Sequence, residues 1–237
     1  MHVINGGRHL INNTININFF EKLDSNTIKE ILNISTIKEY KKGDMLFSEK
    51  EKLKYIYFII QGVVSIYKPN KNDDGKKVLF ILGNGEILNK TILDNEPSAV
   101  SCEFLTEAKV LIAKRDEFEK IMQNNFNLCQ TIILSLISRE KKMIHQLKNS
   151  LQSLTVDRQL AFKLWKLAKD FGYITEQGLE IGFDLSITYL AEILGNKRET
   201  VSRQLKILSN KSLVETYKKR FIIKNLDGLY NYYMFKE

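Results

Sequence analysis

A chain of 237 residues with 43% hydrophobic residues is long enough to form one large domain or two smaller ones with real cores. Lys and Arg outnumber Asp and Glu by 36 to 28, a net charge of +8 that suits an acidic partner, while two cysteines, Cys102 and Cys129, are too few for a disulfide framework or a cysteine metal cage and fit a reducing compartment. No run reaches the roughly 18 apolar residues of a membrane span, and the segment M-H-V-I-N-G-G-R-H-L lacks the apolar core of a signal peptide, so a cytoplasmic location is expected.

Residues 1–17, rich in Asn, Gly and Ile without helical or strand period, read as a loose arm. Asp24-Ser25 followed by Ile28, Ile31 and Leu32 predicts a helix starting near Ser25. From Ile37 to Lys114 the period becomes that of strands. The runs Y-K-K-G-D-M-L-F, Y-I-Y-F-I-I-Q-G-V-V-S-I-Y-K, K-V-L-F-I-L and A-V-S-C-E-F-L-T-E-A-K-V-L-I-A are bounded by Gly43-Asp44, Pro69 to Gly75 and Gly83 to Gly85. Many short strands joined by glycine turns imply a small barrel or jelly roll. A short helix over Arg115 to Met122 follows, then a long one from about Phe126 to Ser150. In the long helix Ile133, Leu136, Met143 and Leu147 approximate a heptad seam interrupted at Glu140. Such a stripe predicts a parallel two-fold dimer; the alternative is that every apolar residue packs within one chain.

The pattern resets at Ser153 to Thr155, a hinge. Thr155 is placed as the N-cap of a helix carrying Leu160, Leu164, Trp165, Leu167 and Ala168 to Phe171-Gly172. Gly178 to Leu185 reads as a strand. Leu190, Ile193 and Leu194, then Val201, Leu205 and Leu208, flank Gly195-Asn196, which predicts two short amphipathic helices joined by a tight turn. Lys197, Arg198, Glu199 and Arg203 cluster where the second helix would enter a major groove. Arginine can donate two hydrogen bonds to guanine, and glutamate can accept one from the cytosine amine. Val214 to Ile223 reads as a strand pair turning over Lys218 and Lys219, a wing placed to lie along phosphates. From Lys197 to Lys224 nine Lys or Arg stand against two Glu, a local balance of +7. The aromatic tail N-L-D-G-L-Y-N-Y-Y-M-F is expected to pack on this small domain.

The run A-E-I-L-G-x-x-R-E-T-V-S-R-x-L-x-x-L resembles the DNA-binding motif of the catabolite-activator and fumarate-nitrate-reduction (Crp/Fnr) family of bacterial transcription regulators, with R-E-T-V-S-R its most telling part. The resemblance puts Arg198, Glu199 and Arg203 on base-reading positions and Ser186, Thr188, Lys197 and Ser202 beside the DNA backbone. It extends to G-D-M-L-F and Y-F-I-I-Q-G-V-V-S-I-Y, similar to the family's sensor barrel with Gly62 at a turn, although the loop Ser48 to Lys54 lacks the usual glycine. The implied α+β architecture is a loose arm (1–17), a cyclic-nucleotide-binding-like β jelly-roll barrel (18–124), a dimerisation helix and hinge (125–154) and a winged helix-turn-helix (155–237). The implied partners are a second copy of the chain, double-stranded DNA bearing a TGTGA-like inverted repeat, and RNA polymerase.

Members that bind cyclic nucleotide hold its phosphate with a helix N-terminus and an Arg-Ser pair, and its ribose with a glutamate after a glycine. Here Asn89 stands for that glycine, Lys90 for the glutamate and Pro97 for the arginine, with Ser98 and Ala99 retained. Losing two charged hydrogen bonds, at about 1.5–3 kcal/mol each, implies that this pocket is altered and does not take cyclic AMP. Lys90 serving another anionic ligand, or a vestigial barrel, stay open. Residues 1–101 contain no cysteine, so no iron-sulfur cluster is expected; His2, His9 and His145 make a poor haem set, and no metal site or other cofactor is expected. The cysteines read as small buried apolar residues. No phosphate loop, metal cluster or activated nucleophile points to an enzyme. The competing function is a small-molecule-binding or protein-interaction module whose helical part does not read DNA.

Overall fold

A computed structural model describes residues 19–70, 75–89, 96–151 and 154–235, with the side chains of 148–151 excepted; the expected arm, Lys90 and part of the hinge lie outside these residues. The chain divides into two units, one taking in the described residues up to Asp74 together with Leu79–Lys142, the other Gly75–Val78 and Met143–Glu237.

The first unit begins with a 3-10 turn, Phe20–Lys22, and helix α1 (Ser25–Asn33). Asp24 starts α1 by accepting the N–H groups of Asn26 and Thr27, both at 3.0 Å, which satisfies two of the donors that a helix start leaves unpaired. Seven strands follow: β1 (Ser35–Tyr40), β2 (Met45–Phe47), β3 (Tyr55–Gln61), β4 (Val64–Pro69), β5 (Lys76–Leu82), β6 (Ser101–Phe104) and β7 (Ala108–Lys114). They form two sheets, ordered β1-β7-β3 and β2-β6-β4-β5.

Strand alternation sorts the side chains into two cores. From β3 and β7, Tyr57, Ile59, Val110 and Ile112 join Phe47, Val64, Ile66, Leu82, Cys102 and Phe104 in one cluster. The intervening Ile56, Phe58, Leu111 and Ala113 pack on the other side, against Ile31, Phe118, Met122, Leu128 and Ile132 of the helices. A sheet buried on both faces accounts for the near-continuous apolar run in β3. Gly62 has φ +109°, and a Cβ there would stand 2.6 Å from the carbonyl oxygen of Glu107, so glycine is required at this turn. Helices α2 (Arg115–Gln123) and α3 (Phe126–Leu151) complete the succession read from the sequence.

The loop without its glycine keeps a glycine's conformation. Lys50 takes φ +68°, its N–H donates to Ser98 O at 2.7 Å, and the Ser98 N–H returns a bond to Glu51 O at 2.9 Å. A lysine in the left-handed region costs about 1–2 kcal/mol, which these two bonds oppose.

The second unit holds α4 (Val156–Phe171), β8 (Gly172–Thr175), β9 (Gly178–Ile181), α5 (Ile187–Leu194), α6 (Arg198–Asn210), β10 (Val214–Tyr217), β11 (Arg220–Ile223) and α7 (Leu226–Phe235). Its sheet is ordered β10-β11-β9-β8. The strand expected over 178–185 ends at Ile181, and β8 had no counterpart in the sequence reading. The Tyr173-Ile174-Thr175 run between Gly172 and Gly178 was its signal. Thr155 takes the N-cap backbone position of α4, its carbonyl accepting the Gln159 N–H at 3.1 Å, but its side chain does not bond the helix's N–H groups. The aromatic tail packs on α4 as expected: ring centroids lie 4.6 Å apart for Phe162 and Tyr233 and 4.9 Å for Trp165 and Tyr230. Arg158 caps the end of α7 by donating to the carbonyls of Tyr233 (2.8 Å) and Met234 (2.9 Å).

Candidate nucleic-acid interface

The turn between α5 and α6 follows from one residue. Gly195 lies at φ +68°, ψ +39°, where its N–H donates to Ala191 O at 2.8 Å and Asn196 N–H reaches the same carbonyl at 3.1 Å; this is a left-handed helix stop that glycine enters without steric cost. At 100° per residue, Val201, Leu205 and Leu208 share one side of α6, and all three are buried. Glu199, Arg203 and Lys206 fall on the opposite side and are exposed, as is Arg198 on the first turn. Among the described residues none of the side chains of Lys197, Arg198, Glu199, Arg203 and Lys206 has a hydrogen-bond or ion-pair partner. The fold therefore leaves two guanidinium groups, two ammonium groups and one carboxylate on the N-terminal two-thirds of an exposed helix.

Ser186 is the N-cap of α5, its Oγ accepting the Tyr189 N–H at 3.0 Å and keeping its own hydrogen for another acceptor. Thr188 is exposed and Ser202 half-buried. In the wing, β10 and β11 pair from Val214↔Ile223 to Tyr217↔Arg220, leaving Lys218 and Lys219 as a two-residue tip. Lys218 sits at φ +55° with its ammonium 5.3 Å from the Tyr217 ring centre, and Lys219 is fixed through its carbonyl, which accepts the Leu185 N–H at 2.8 Å. Two cations of the local excess are spent inside the unit: Arg220 binds the carboxylates of Glu180 and Asp184 and the Tyr173 hydroxyl, and Lys224 pairs with Glu215 at 3.0 Å. Arg220 therefore locks the wing onto β9, whereas Lys206, counted in the local excess but given no site role in the sequence reading, joins the exposed polar face of α6.

On α3, Ile133, Leu136, Met143 and Leu147 are between 41% and 58% exposed. Ile137 and Ile144, passed over in the sequence reading, are also exposed. Ile133, Ile137, Glu140, Ile144 and Leu147 recur at four, three, four and three residues, so the regular seam runs through the isoleucines with Glu140 inside it, and Leu136 and Met143 flank it.

The residues aligned with a nucleotide pocket serve the barrel itself. Asn89 is buried; its Oδ1 accepts the Tyr57 N–H at 3.0 Å and its Nδ2 donates to the Tyr55 carbonyl at 2.8 Å, so the amide acts as one more rung beside β3. Ser98 is buried as well, its hydroxyl donating to Val100 O at 2.7 Å, while Ala99 is exposed. Cys102 is fully buried, which raises its thiol pKa far above the ordinary value, and the Cys129 thiol donates to Met122 O at 3.2 Å. His145 is exposed on α3. Among the described residues no three of His, Cys, Asp and Glu converge as a metal-binding group, and no helix is long and apolar enough to cross a membrane.

The sequence profile of cyclic nucleotide-binding domains matches residues 37–125, and that of Crp-like helix-turn-helix domains matches residues 158–232, together more than half of the chain. Among similar proteins, the CRP-like cAMP-activated global transcriptional regulator of Mycobacterium tuberculosis is 24% identical over 193 residues, covering 81% of this chain and 85% of that protein. The cAMP-activated global transcriptional regulator CRP of Salmonella typhimurium is 25% identical over 202 residues, covering 83% and 93%. Among solved structures, the c-di-GMP-responsive global regulator CLP of Xanthomonas campestris superposes with a TM-score of 0.74 at 22% identity, covering 85% of this chain and all of that one. FixK2 of Bradyrhizobium japonicum gives 0.72 at 18% identity, covering 84% and 96%.

Proposed function

We propose, for a chain that belongs to the Crp/Fnr family of transcription regulators, that it works as a homodimer reading an inverted repeat with TGTGA-like half-sites, through a sensor barrel that does not take cyclic AMP. That it is a DNA-binding transcription regulator follows from its family; the site, the oligomer and the pocket are our reading. The observation that carries it is the exposed, unpaired set Arg198, Glu199 and Arg203, the last two on the side of α6 away from its buried face and Arg198 on its first turn. Two bidentate donors and one acceptor suit guanine and cytosine edges, while Lys197, Lys206, Lys218, Lys219 and the hydroxyls of Ser186, Thr188 and Ser202 suit phosphates. The apolar seam on α3 supports pairing of two chains, which would present two copies of α6 to successive turns of a duplex. Contact with RNA polymerase belongs to this reading by family alone.

The pocket reading is supported by Asn89 and Ser98, whose polar groups are committed to backbone partners. No haem, iron-sulfur cluster or other cofactor is part of the proposal, nor any catalytic step.

Fluorescence anisotropy with duplexes that carry or lack the repeat, at two salt concentrations, tests the assignment. Affinity for every duplex should fall steeply with salt, and only the repeat should retain tight binding at the higher salt. Glu199→Ala should relax preference at one base pair by about 1–3 kcal/mol with non-specific affinity nearly unchanged. Equal losses on all sequences, or no preference at either salt, would sink the reading and favour a module whose helices contact protein.

A further inference from the structure

One cavity of about 180 Å³ in the first unit has no part in the sites described above. It lies between the turn that carries Gly85 and Glu86 and one stripe of α3, with Lys22 on the remaining side. Ser135, Ser138, Arg139 and Lys142 stand at i, i+3, i+4 and i+7, so all four look into the same gap. This stripe is polar, with Ser138 and Lys142 exposed and Ser135 and Arg139 half-buried. Arg139 is half-buried: its guanidinium donates to Ile87 O at 2.8 Å and stands 5.6 Å from the Phe80 ring centre. Carbonyls and a ring orient a guanidinium without cancelling its charge, and a buried charge is costly unless something of opposite sign answers it. The carboxylate of the wall, Glu86, pairs with Lys142 at 3.0 Å and also acts on Arg139, so one carboxylate is shared by two cations. Lys22, Arg139 and Lys142 against Glu86 leave a surplus of two positive charges around the opening.

We propose that this cleft binds a small anion bearing a carboxylate or phosphate group, and that it, in place of the Asn89–Ser98 region, is the effector site of the regulator. The proposal rests on the reading of the first unit as a sensor. A cavity of this size is close to the roughly 150 Å³ that accommodates benzene, so the ligand has on the order of six to ten non-hydrogen atoms. Its anionic group lies among Arg139, Lys142 and Lys22, its other polar atoms meet the Ser135 and Ser138 hydroxyls, and its carbon body rests on Phe19 and Leu134, which also line the gap. Ile133 and Ile137 of the seam directly precede Leu134 and Ser138, so a ligand that fixes this stretch of α3 also fixes the surface offered to a second chain.

The test is isothermal titration of the full chain with inorganic phosphate, with succinate and with uncharged succinamide. It is run in an Arg198→Ala/Arg203→Ala background, so that the exposed DNA-reading arginines do not compete for anions. One or both anions should bind with a Kd in the millimolar range or tighter, and succinamide should not. Lys142→Gln should weaken binding about tenfold. Ser138→Phe, which fills the cleft from an exposed helix position, should abolish it, and Glu86→Gln, which frees Lys142, should strengthen it. Failure of both anions to bind, or binding that survives Ser138→Phe and Lys142→Gln, overturns the proposal. Operator binding by the unmutated chain is measured separately: a protein that prefers the repeat but ignores both anions overturns this site alone, and one that binds an anion without operator preference overturns the DNA reading alone.

Discussion

Replacing Asn89 by alanine removes both halves of an amide that the barrel uses as backbone. The Tyr57 N–H is left without its acceptor in a buried setting and the Tyr55 carbonyl without its donor in a part-buried one. A buried unsatisfied group costs about 1–3 kcal/mol, and the part-buried carbonyl can recruit water, so the sum is about 3 kcal/mol. For a chain of this size that lowers Tm by roughly 6–12 °C. Asn89→Asp sharpens the test, because it keeps the acceptor for Tyr57 but turns an oxygen toward the Tyr55 carbonyl. Its carboxyl should titrate above the usual range, so the variant should be at least as unstable as Asn89→Ala at neutral pH and recover as acid restores a donor. Urea unfolding followed by circular dichroism, with hydrogen exchange at the Tyr57 amide, measures both. Destabilisation under about 0.5 kcal/mol with unchanged Tyr57 protection would refute the account and would return Asn89 to the list of residues free to meet a ligand.

Glu140→Leu should tighten the dimer. Two carboxylates about 6 Å apart across a two-fold seam repel by about 1–3 kcal/mol, so the dimer Kd by sedimentation equilibrium should drop roughly 10- to 100-fold, and an unchanged Kd would place the seam elsewhere. Lys50→Gly should raise thermal stability. Relief of about 1–2 kcal/mol of left-handed strain exceeds the roughly 0.5–1 kcal/mol of added chain entropy; a lower Tm in a calorimeter would contradict the strain assigned to Lys50. Burial works to raise the Asp157 pKa, but hydrogen bonds from the Thr155 and Tyr232 hydroxyls and the Arg158 N–H outweigh it and hold the carboxyl below 3.8. Burial and the bond to Asp157, 2.6 Å long, push Tyr232 up to about 12. A depressed carboxyl contributes stability at neutral pH that is lost as pH falls below about 4, and a raised phenol contributes stability that is lost between about pH 10 and 12. Tyr232→Phe should flatten both limbs of a plot of urea midpoint against pH, and a profile parallel to that of the unmodified chain would count against the pair.

Apart from β8, the order of elements and the exposed polar face of α6 were legible in the residues because both rest on local rules. Period sorted strands from helices, Gly195 marked the turn, and Val201, Leu205 and Leu208 fixed which side of α6 faces inward, which leaves Glu199 and Arg203 outside, with Arg198 exposed at the helix start. What a cation or an amide does with its polar atoms depends on neighbours distant in sequence. Only the tertiary structure decided that Arg220 and Lys224 are answered by carboxylates while Arg203 is not, and that Asn89 completes β3 from 34 residues away. It also decided that Lys50 holds a turn for which glycine was expected, and that Ile137 and Ile144 are exposed on α3 along with Ile133, Leu136, Met143 and Leu147. Heptad spacing admits more than one stripe, and burial of Leu128 and Ile132 in the core leaves both stripes of α3 exposed.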